Sequence, residues 1–394
     1  MKVVVGIAIA GSLWLLAAAS ASAAGPCPGS EIPTASGCTS SVAAGRQVDA
    51  IVEQTARDND LRAALLRIDI GDRTLTRAAT GESIAGQPAS LRMHFRIGAI
   101  AIPYLIDLLL QLEDQGELSL DDPVSNWLPG LPDADRVTLR MLANSTSGYP
   151  DWLQGNPAFS EALLADIFRQ WKTQELVDTA FSQPLICDPG TCFHYAHTNY
   201  VIIDRVIREI TGRPVRSLMR ERVLRPLGAR ETGISAFPGI AAPVLHSYSS
   251  DRGPYEDSTF WSPSWTLPKS AIMTSTIGDL IKAAKALGTG ALISPRASRE
   301  RFAPTTVGLG PFSEDFYFGL GVVVANSWQI QNPELNGYTA IAGYLPSRKM
   351  SLALTVTNGE DAAAAGVNYS QKLFESITGY LTPDHPGAPR VRLR

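Results

Sequence analysis

The most continuous apolar segment inside the chain covers residues 102–112, where only Asp107 and Gln111 interrupt the apolar run. A helix that is apolar on all its faces lies in the interior of a protein. Gly116 follows two acidic residues, and a glycine just past the last apolar position is typical of a helix end. The pattern therefore predicts a buried helix that begins near residue 102 and ends before Gly116.

Amphipathic and strand-like segments lie on both sides of this helix. Helical spacing covers residues 45–57 and 361–381, and strand-like runs cover residues 61–82, 316–326, 337–345 and 350–357. The first run breaks at Gly71-Asp72, which indicates a hairpin. Strands near both ends with helices between them predict an α+β fold, in which N- and C-terminal segments build one antiparallel sheet flanked by helices. We expect one domain over residues 45–394, with the sheet part at about 45–100 and 300–381 and an inserted all-helical subdomain at about 102–300.

The N-terminus has the order of a secretory signal: one lysine, an apolar stretch, then small residues that end in Ala21-Ser22-Ala23. We predict a signal peptide over residues 1–23, cleaved near Ala23 or Ala24, and no transmembrane segment after cleavage. A retained anchor is the alternative, because the apolar stretch is nearly long enough to span a bilayer. We expect a protein that is secreted or held in the cell envelope.

The cysteines form two close pairs. Residues 24–44 are rich in Pro, Gly, Ser and Thr and contain Cys27 and Cys38, while Cys187 and Cys192 lie further along. An oxidising compartment favours the disulfides Cys27–Cys38 and Cys187–Cys192, the first of which would hold residues 24–44 as a lead-in. Neither pair has a companion at zinc-site spacing, so we expect no metal site.

Charge and composition exclude some classes of function. The chain has 394 residues, a net charge of −4 and 45% apolar residues, which is enough for a sizeable core. Its aromatic residues are not interleaved with lysine or arginine as a nucleic-acid surface needs, so we expect no nucleic-acid partner. No phosphate-binding glycine loop, HExxH motif or calcium loop is present, and we expect no cofactor.

Seven segments together resemble the β-lactamase-related serine hydrolases, which include class C β-lactamases, DD-carboxypeptidases and some esterases. In chain order they are "FRIGAIAIPY", "GELSLDDPVSNWLP", "VTLRMLANSTSGYPDW", "PGTCFHYAHTNYVIIDRVI", "RVLRPLGARETGI", "TSTIGDLIKAAKALGTGALISP" and "FYFGLGV". The likeness covers about residues 45–380. It implies the β-lactamase/transpeptidase-like fold, with the active site in the cleft between the sheet and the helical subdomain.

The resemblance implies three motifs that converge on one carbonyl. Ser-x-x-Lys supplies a nucleophile and an amine on one helix face. Tyr-x-Asn handles protons and orients the substrate, and a Lys- or His-x-Gly strand lets the substrate backbone approach.

The first motif falls on Ala99-Ile100-Ala101-Ile102, so both reactive side chains are missing. The second falls on Tyr195-Ala196-His197, which retains the tyrosine and replaces the amide with an imidazole. The third is assigned to Tyr338-Thr339-Ala340, which lacks the charged head and the glycine. We predict that Ala99, Tyr195, His197, Tyr338 and Thr339 line the cleft, with Ile102 and Ala340 as further altered positions.

A displaced nucleophile finds little support in the sequence. No lysine has a serine three residues before it, and no Gly-x-Ser-x-Gly elbow is present. Ser145 and Ser147 remain as local candidates, although their segment matches a structural turn of the family. Tyr195 and His197 remain as a candidate acid–base pair, because residues two apart in an extended segment point to one side.

Other polar residues have ordinary structural explanations beside functional ones. Asp107 is either a buried functional acid or a carboxylate satisfied by a structural partner. The pair Asp121-Asp122 fits a capped turn better than a paired-carboxylate site. Four tryptophans could line a cleft or anchor the core: Trp127, Trp152, Trp261 and Trp265.

The sequence predicts an exported pseudoenzyme on this scaffold. Its partner is expected to be a cell-envelope small molecule, peptide or acyl ligand, bound without classical acyl-serine turnover. One alternative is an active esterase, DD-peptidase or β-lactamase with a displaced mechanism. A second alternative is a structural envelope protein whose cleft is vestigial.

Overall fold

A computed structural model describes residues 27–29 and 31–387. The predicted signal peptide lies outside the described residues. The described part of the lead-in forms a hairpin of β1 (Glu31–Thr34) and β2 (Gly37–Ser40), beside the disulfide Cys27–Cys38. The second disulfide joins Cys187 and Cys192. Both predicted pairings are confirmed.

The later strands are β3 (Leu61–Ile70), β4 (Arg73–Ile84), β5 (Gln87–Pro88), β6 (Phe95–Arg96), β7 (Gly233–Ile234), β8 (Tyr248–Ser249), β9 (Glu256–Asp257), β10 (Met273–Ser275), β11 (Phe316–Phe318), β12 (Val323–Ala325), β13 (Trp328–Gln331), β14 (Glu334–Leu335), β15 (Tyr338–Leu345) and β16 (Met350–Asn358). The helices are α1 (Ser41–Asp58), α2 (Ile102–Asp114), α3 (Leu139–Ala143), α4 (Pro157–Ala165), α5 (Thr173–Phe181), α6 (His197–Thr211), α7 (Val215–Leu218), α8 (Ile277–Thr289), α9 (Pro295–Arg301), α10 (Glu360–Ala365) and α11 (Tyr369–Leu381).

The main sheet joins the two ends of the chain. Its strand order is β11-β12-β13-β15-β16-β3-β4-β5, and β14 pairs with β15. The central pair β16 and β3 is antiparallel, with Leu354 opposite Leu66. Most of the helices lie in sequence between β5 and β11. The predicted α+β fold, with an antiparallel sheet built from N- and C-terminal segments, is confirmed.

Helices cover both faces of this sheet. On one face, Thr339 Oγ1 accepts a hydrogen bond of 3.3 Å from the N–H of Ser370 in α11, and α1 packs beside α11. Tyr344 lies five residues further along the same strand and therefore points to the other face. There it packs against Gly288 of α8, where a Cβ atom would not fit. The sheet is thus buried between two helical layers.

The predicted strand at residues 316–326 is divided in two. The chain turns between β11 and β12, and Gly321 adopts a φ of +67°, a conformation that side chains disfavour. The N–H of Gly321 donates to the carbonyl of Ala143 at 2.9 Å. This turn holds the sheet against the helical part next to α2. None of the described helices combines the length and the apolar character needed to cross a membrane.

Candidate active site

The segment that leads into α2 places Ala99 and Ile102. β6 pairs with β10, and a 3-10 turn over Gly98–Ala101 follows before α2 begins at Ile102. Pro103 stands in the first turn of α2, where its missing N–H costs no helical hydrogen bond. Ala99 is half-buried in the turn, whereas the side chain of Ile102 is fully buried. The position of the family lysine is therefore inside the core.

The surroundings of Ile102 are apolar and tight. A Cβ atom at Gly321 would lie 2.9 Å from Ile102 Cγ2 and 2.7 Å from Ile106 Cγ1. Ile102 is part of the main apolar core that α2 shares with the sheet. A side chain at this position has close-packed hydrocarbon as its neighbour, which solvates an ammonium group poorly.

The segment of residues 331–335, which joins β13 to β14, lies beside Gly98, the residue before Ala99. A Cβ atom at Gly98 would lie 2.9 Å from Pro333 Cβ and 3.8 Å from Leu335 Cβ. Gln331, at the end of β13, donates from Nε2 to the carbonyl of Gly321 at 2.6 Å. The amide nitrogen of Gln331 is thus hydrogen-bonded to the backbone beside Ile102. Sequence reasoning missed this segment, because its residues resemble neither a Lys- nor a His-x-Gly motif.

The residues assigned to the third motif lie on β15, next to this segment. The N–H of Ala340 donates to the carbonyl of Pro333 at 3.1 Å, so β15 is one strand further from Ala99. The hydroxyl of Tyr338 donates to the carbonyl of Leu245 at 2.5 Å, and Thr339 faces α11. Both side chains are buried and already hydrogen-bonded. The structure thus places Pro333 beside Gly98, next to the first motif, and Tyr338 on the neighbouring strand β15.

The loop that carries Tyr195 and His197 is braced by a neighbouring segment. The N–H groups of Ile186, Gly190 and His194 donate to the carbonyls of Gly148, Thr146 and Ser145 at 2.8–2.9 Å. The disulfide Cys187–Cys192 closes the same stretch. Ala196 is extended and caps α6, which begins at His197. The predicted neighbours Tyr195 and His197 accordingly meet, with their ring centroids 5.2 Å apart.

A buried carboxylate, Asp151, holds His197. Asp151 Oδ2 lies 2.9 Å from the ring atom His197 Nδ1 and accepts a hydrogen bond of 2.5 Å from the backbone N–H of His197. Asp151 Oδ1 accepts hydrogen bonds of 2.8 Å from the backbone N–H groups of Leu153 and Gln154. Burial raises the pKa of Asp151, but the His197 ring and these donors outweigh burial and hold the pKa below its ordinary value. Burial raises the pKa of Tyr195 well above its ordinary value, so its phenol stays protonated.

Asp151 was missed as a site residue by sequence reasoning. It stands in the segment "SGYPDW", and a separation of 46 residues hides its pairing with His197. An Asp–His pair fixes the tautomer and orientation of an imidazole, as it does in many hydrolases. His197 is, however, only 4% exposed.

The other candidate groups have structural partners. The hydroxyl of Ser145 lies 3.2 Å from the hydroxyl of Tyr200, and Ser147 Oγ donates to Asn199 Oδ1 at 2.6 Å. Both serines are buried. Asp107 accepts a bond of 2.6 Å from Arg301 Nη2, and this buried pair identifies it as a structural carboxylate.

Apolar side chains close the space between the sheet and the helical part. One buried cluster joins Leu335 of β14 to tryptophans from two loops, Trp152 and Trp265. The indole N–H of Trp152 donates to the carbonyl of Trp265 at 2.9 Å, and its ring lies 5.6 Å from His197. Trp261 is buried as well, and Trp127 packs at the edge of the main core. Apolar rings therefore pack beside the buried Asp151–His197 pair.

The arrangement lacks the parts of an acyl-serine mechanism at their family positions. A methyl group stands where the nucleophile is expected and a buried sec-butyl group where its base is expected. Across residues 27–29 and 31–387, no three His, Cys, Asp or Glu side chains gather as metal ligands.

Comparisons with known proteins agree with this fold. Residues 48–374 match the family model Beta-lactamase. Putative beta-lactamase-like 1 of Homo sapiens is 26% identical over 373 residues, which cover 86% of this chain and 70% of the human protein. Putative penicillin-binding protein PbpX of Bacillus subtilis is 27% identical over 291 residues, or 72% of this chain and 66% of that protein.

A solved structure adds to the comparison. The D-stereospecific amidohydrolase from Streptomyces sp. superposes with a TM-score of 0.73 at 25% identity, over 87% of this chain and 99% of that chain. Sheet topology, helical layers and the order of the sequence motifs agree with these matches. This chain belongs to the β-lactamase family, on the fold of its serine hydrolases.

Proposed function

We propose that this protein is an exported, non-catalytic member of the β-lactamase family that binds a ligand of the cell envelope. The ligand class is a small molecule, peptide or acyl group held without covalent turnover. The single observation that carries the proposal is the pair Ala99 and Ile102, because Ile102 is packed into the core beside Gly321.

The magnitude of the loss supports absence of turnover. In hydrolases with a cooperating catalytic set, removal of one member costs on the order of a million-fold in kcat. Here both the nucleophile and its amine are replaced, and Ser145 and Ser147 are buried with other partners.

Export and an envelope ligand rest on four observations. The N-terminus has the composition of a signal peptide, and two disulfides suit an oxidising compartment. One relative is named as a penicillin-binding protein. Ile102 stands where the family has a lysine. This replacement favours an uncharged or acyl group over a charged peptide terminus beside Ala99, the family's nucleophile position.

The Asp151–His197 pair favours a second candidate function. An imidazole held by a carboxylate can act as a general base toward water, which would hydrolyse an ester or amide without a covalent intermediate. The burial of His197 opposes this function, since water must reach the ring. A purely structural envelope role is the third candidate, and the closed apolar space is compatible with it.

Turnover measurements test the proposal. Purified protein is incubated with nitrocefin, p-nitrophenyl butyrate and D-alanine p-nitroanilide, beside the variant His197→Asn, which restores the family amide. We expect rates indistinguishable between the two proteins and equal to those with heat-denatured protein. A rate that falls at least tenfold in the variant would establish the second candidate instead.

A further inference from the structure

Positive charge is concentrated in one segment of the chain, residues 205–230, which runs from α6 through α7 to the loop before β7. This segment contains eight arginines and two glutamates, a net charge of +6, although the whole chain has a net charge of −4. None of the candidate active-site residues lies in it. The proposed function therefore leaves this strongly charged segment unused.

Each of the two glutamates already has an arginine partner. Glu209 lies 3.4 Å from Arg208, and Glu221 lies 2.6 Å from Arg213. The hydrogen bond from Arg213, with two further arginines nearby, holds the pKa of Glu221 below its ordinary value. Several cations thus surround one carboxylate, and the segment keeps an excess of positive charge.

Arg216 and Arg220 form an exposed arginine face on this segment. The helix α7 continues directly into a helical turn over Met219–Leu224, and residues four apart lie on the same side of a helix. Among the residues that the structure describes, no carboxylate pairs with either guanidinium. Arg216 Nη2 donates to the carbonyl of Ile234 in β7 at 2.7 Å. This bond holds the arginine face against the end of β7.

The loop that follows β7 has an apolar stretch, residues 236–243, which we call the apolar loop. Its sequence is Ala-Phe-Pro-Gly-Ile-Ala-Ala-Pro, and none of these eight residues is buried. The side chain of Phe237 is 68% exposed. A run of exposed apolar residues is unfavourable in water and marks a surface that contacts a protein or a membrane.

Hydrogen bonds to the core hold the backbone of the apolar loop. The buried Arg96 donates from Nη2 to the carbonyl of Pro238 at 2.6 Å. The N–H of His94 donates to the carbonyl of Pro243 at 2.8 Å. The loop is therefore fixed on both sides of its exposed middle, and Phe237 stands beside one of these fixed points.

The apolar loop and the arginine face are neighbours. Ile234, whose carbonyl binds Arg216, precedes Phe237 by three residues. Three residues span about 11 Å at most, so the guanidinium of Arg216 lies near the backbone of Phe237. The acidic residue Glu231 also precedes the loop, and its carboxylate is 3.3 Å from His94 Nε2. An exposed aromatic ring thus lies beside cations that have no anionic partner.

We propose that the apolar loop and the arginine face together bind the surface of an anionic phospholipid membrane. Phe237 enters the layer between head groups and acyl chains, and Arg216 and Arg220 contact lipid phosphates. A soluble polyanion offers no hydrocarbon to an exposed phenylalanine, so the apolar loop favours a membrane. The proposal goes beyond the proposed function, because it concerns how the whole protein is held and not the ligand near Ala99.

Co-sedimentation with lipid vesicles tests this proposal. The protein is purified after export by its host, and its intact mass confirms that the predicted signal peptide has been removed. The vesicles contain phosphatidylglycerol and phosphatidylcholine in equal amounts, or phosphatidylcholine alone. We expect at least tenfold tighter binding to the anionic vesicles, weakened by high salt because salt screens exposed charges. Equal binding to both kinds of vesicle, or no binding to either, would overturn the proposal.

Two variants with matched controls locate the binding. Phe237→Ser removes the exposed ring, and Phe168→Ser is its control, because Phe168 is 61% exposed in the loop after α4. Arg220→Gln removes one exposed charge, and Arg46→Gln does the same on α1. We expect Phe237→Ser and Arg220→Gln each to weaken binding to anionic vesicles about fivefold, and both controls to leave it unchanged.

Long-chain polyphosphate is the probe for a soluble polyanion. We expect wild type to bind anionic vesicles more tightly than polyphosphate, and Phe237→Ser to lose only the vesicle binding. Unchanged vesicle binding in Phe237→Ser would show that charge alone is recognised and would overturn the membrane proposal. An equal loss in Phe237→Ser and Phe168→Ser would overturn the assignment to the apolar loop.

Discussion

Replacement of Ile102 by lysine restores one residue of the family motif and probes how far the site has changed. Ile102 is fully buried against Gly321 and Ile106. A buried lysine with no polar partner loses its charge, and its pKa falls to about 5–6. Deprotonation of a lysine from its ordinary pKa of about 10.4 costs about 4–5 kcal/mol at pH 7, at 1.36 kcal/mol per pH unit.

That cost is a large share of the total stability of a domain, which is about 5–15 kcal/mol. The matched control is Ile102→Met, because methionine has a similar volume and no charge. This change should lower the free energy of unfolding by less than about 1.5 kcal/mol. Between about pH 6 and pH 10, the introduced lysine binds fewer protons in the folded protein than in the unfolded protein. The free energy of unfolding of Ile102→Lys therefore rises with pH. The difference in free energy of unfolding between Ile102→Met and Ile102→Lys should therefore narrow by about 1.4 kcal/mol per pH unit.

Urea unfolding of both variants at pH 7, 8 and 9 measures this difference. We expect Ile102→Lys to be at least 3 kcal/mol less stable than Ile102→Met at pH 7, on the order of the deprotonation cost. A difference below about 1 kcal/mol, or one that does not change with pH, would show that the site still solvates an ammonium group. The reasoning that the site has been rebuilt as hydrocarbon would then be refuted.

Three further variants test other parts of the structure by urea unfolding. Asp107→Asn leaves Arg301 buried without its anion and should lower the free energy of unfolding by about 3–5 kcal/mol. Adding Arg301→Met should recover at least half of that loss. No recovery would contradict the pairing of Asp107 with Arg301. Because burial and the nearby Asp251 carboxylate raise the folded pKa of Glu334 to about 8, its stabilising contribution is lost as pH rises through that value. The loss runs from about pH 4.5, where the carboxyl ionises in the unfolded protein, to about pH 8. Glu334→Gln should therefore gain on the order of 4 kcal/mol in free energy of unfolding relative to wild type between pH 5 and pH 9, and a constant difference would contradict this pKa. Asp151→Asn should lower the free energy of unfolding by about 2–4 kcal/mol. The exposed control Asp135→Asn should lower it by less than about 0.5 kcal/mol. Equal losses would contradict the buried pairing of Asp151 with His197.

Features that depend on nearby residues could be predicted from the sequence. The buried helix α2 follows from its apolar run, and both disulfides join cysteines separated by only 11 and 5 residues. The ordered motifs located Ala99, Ile102, Tyr195 and His197. The sheet that joins the two ends of the chain followed from strand patterns with helices between them.

Features that depend on long-range contacts were harder to predict. Asp107 meets Arg301 across 194 residues, and Asp151 meets His197 across 46. The strand segment beside Gly98 was not identified, because its glutamine and proline differ chemically from the family motif. Its position depends on a close approach of Gly98 to Pro333, which no local pattern reports.

The most direct test of the central claim is covalent trapping by acylating reagents. Purified protein is treated with a labelled penicillin and a fluorophosphonate ester, beside an active serine esterase, and the intact mass is measured. The non-catalytic function predicts an unchanged mass under conditions that label the esterase fully. A stoichiometric adduct that maps to Ser145, Ser147 or any other serine would contradict it.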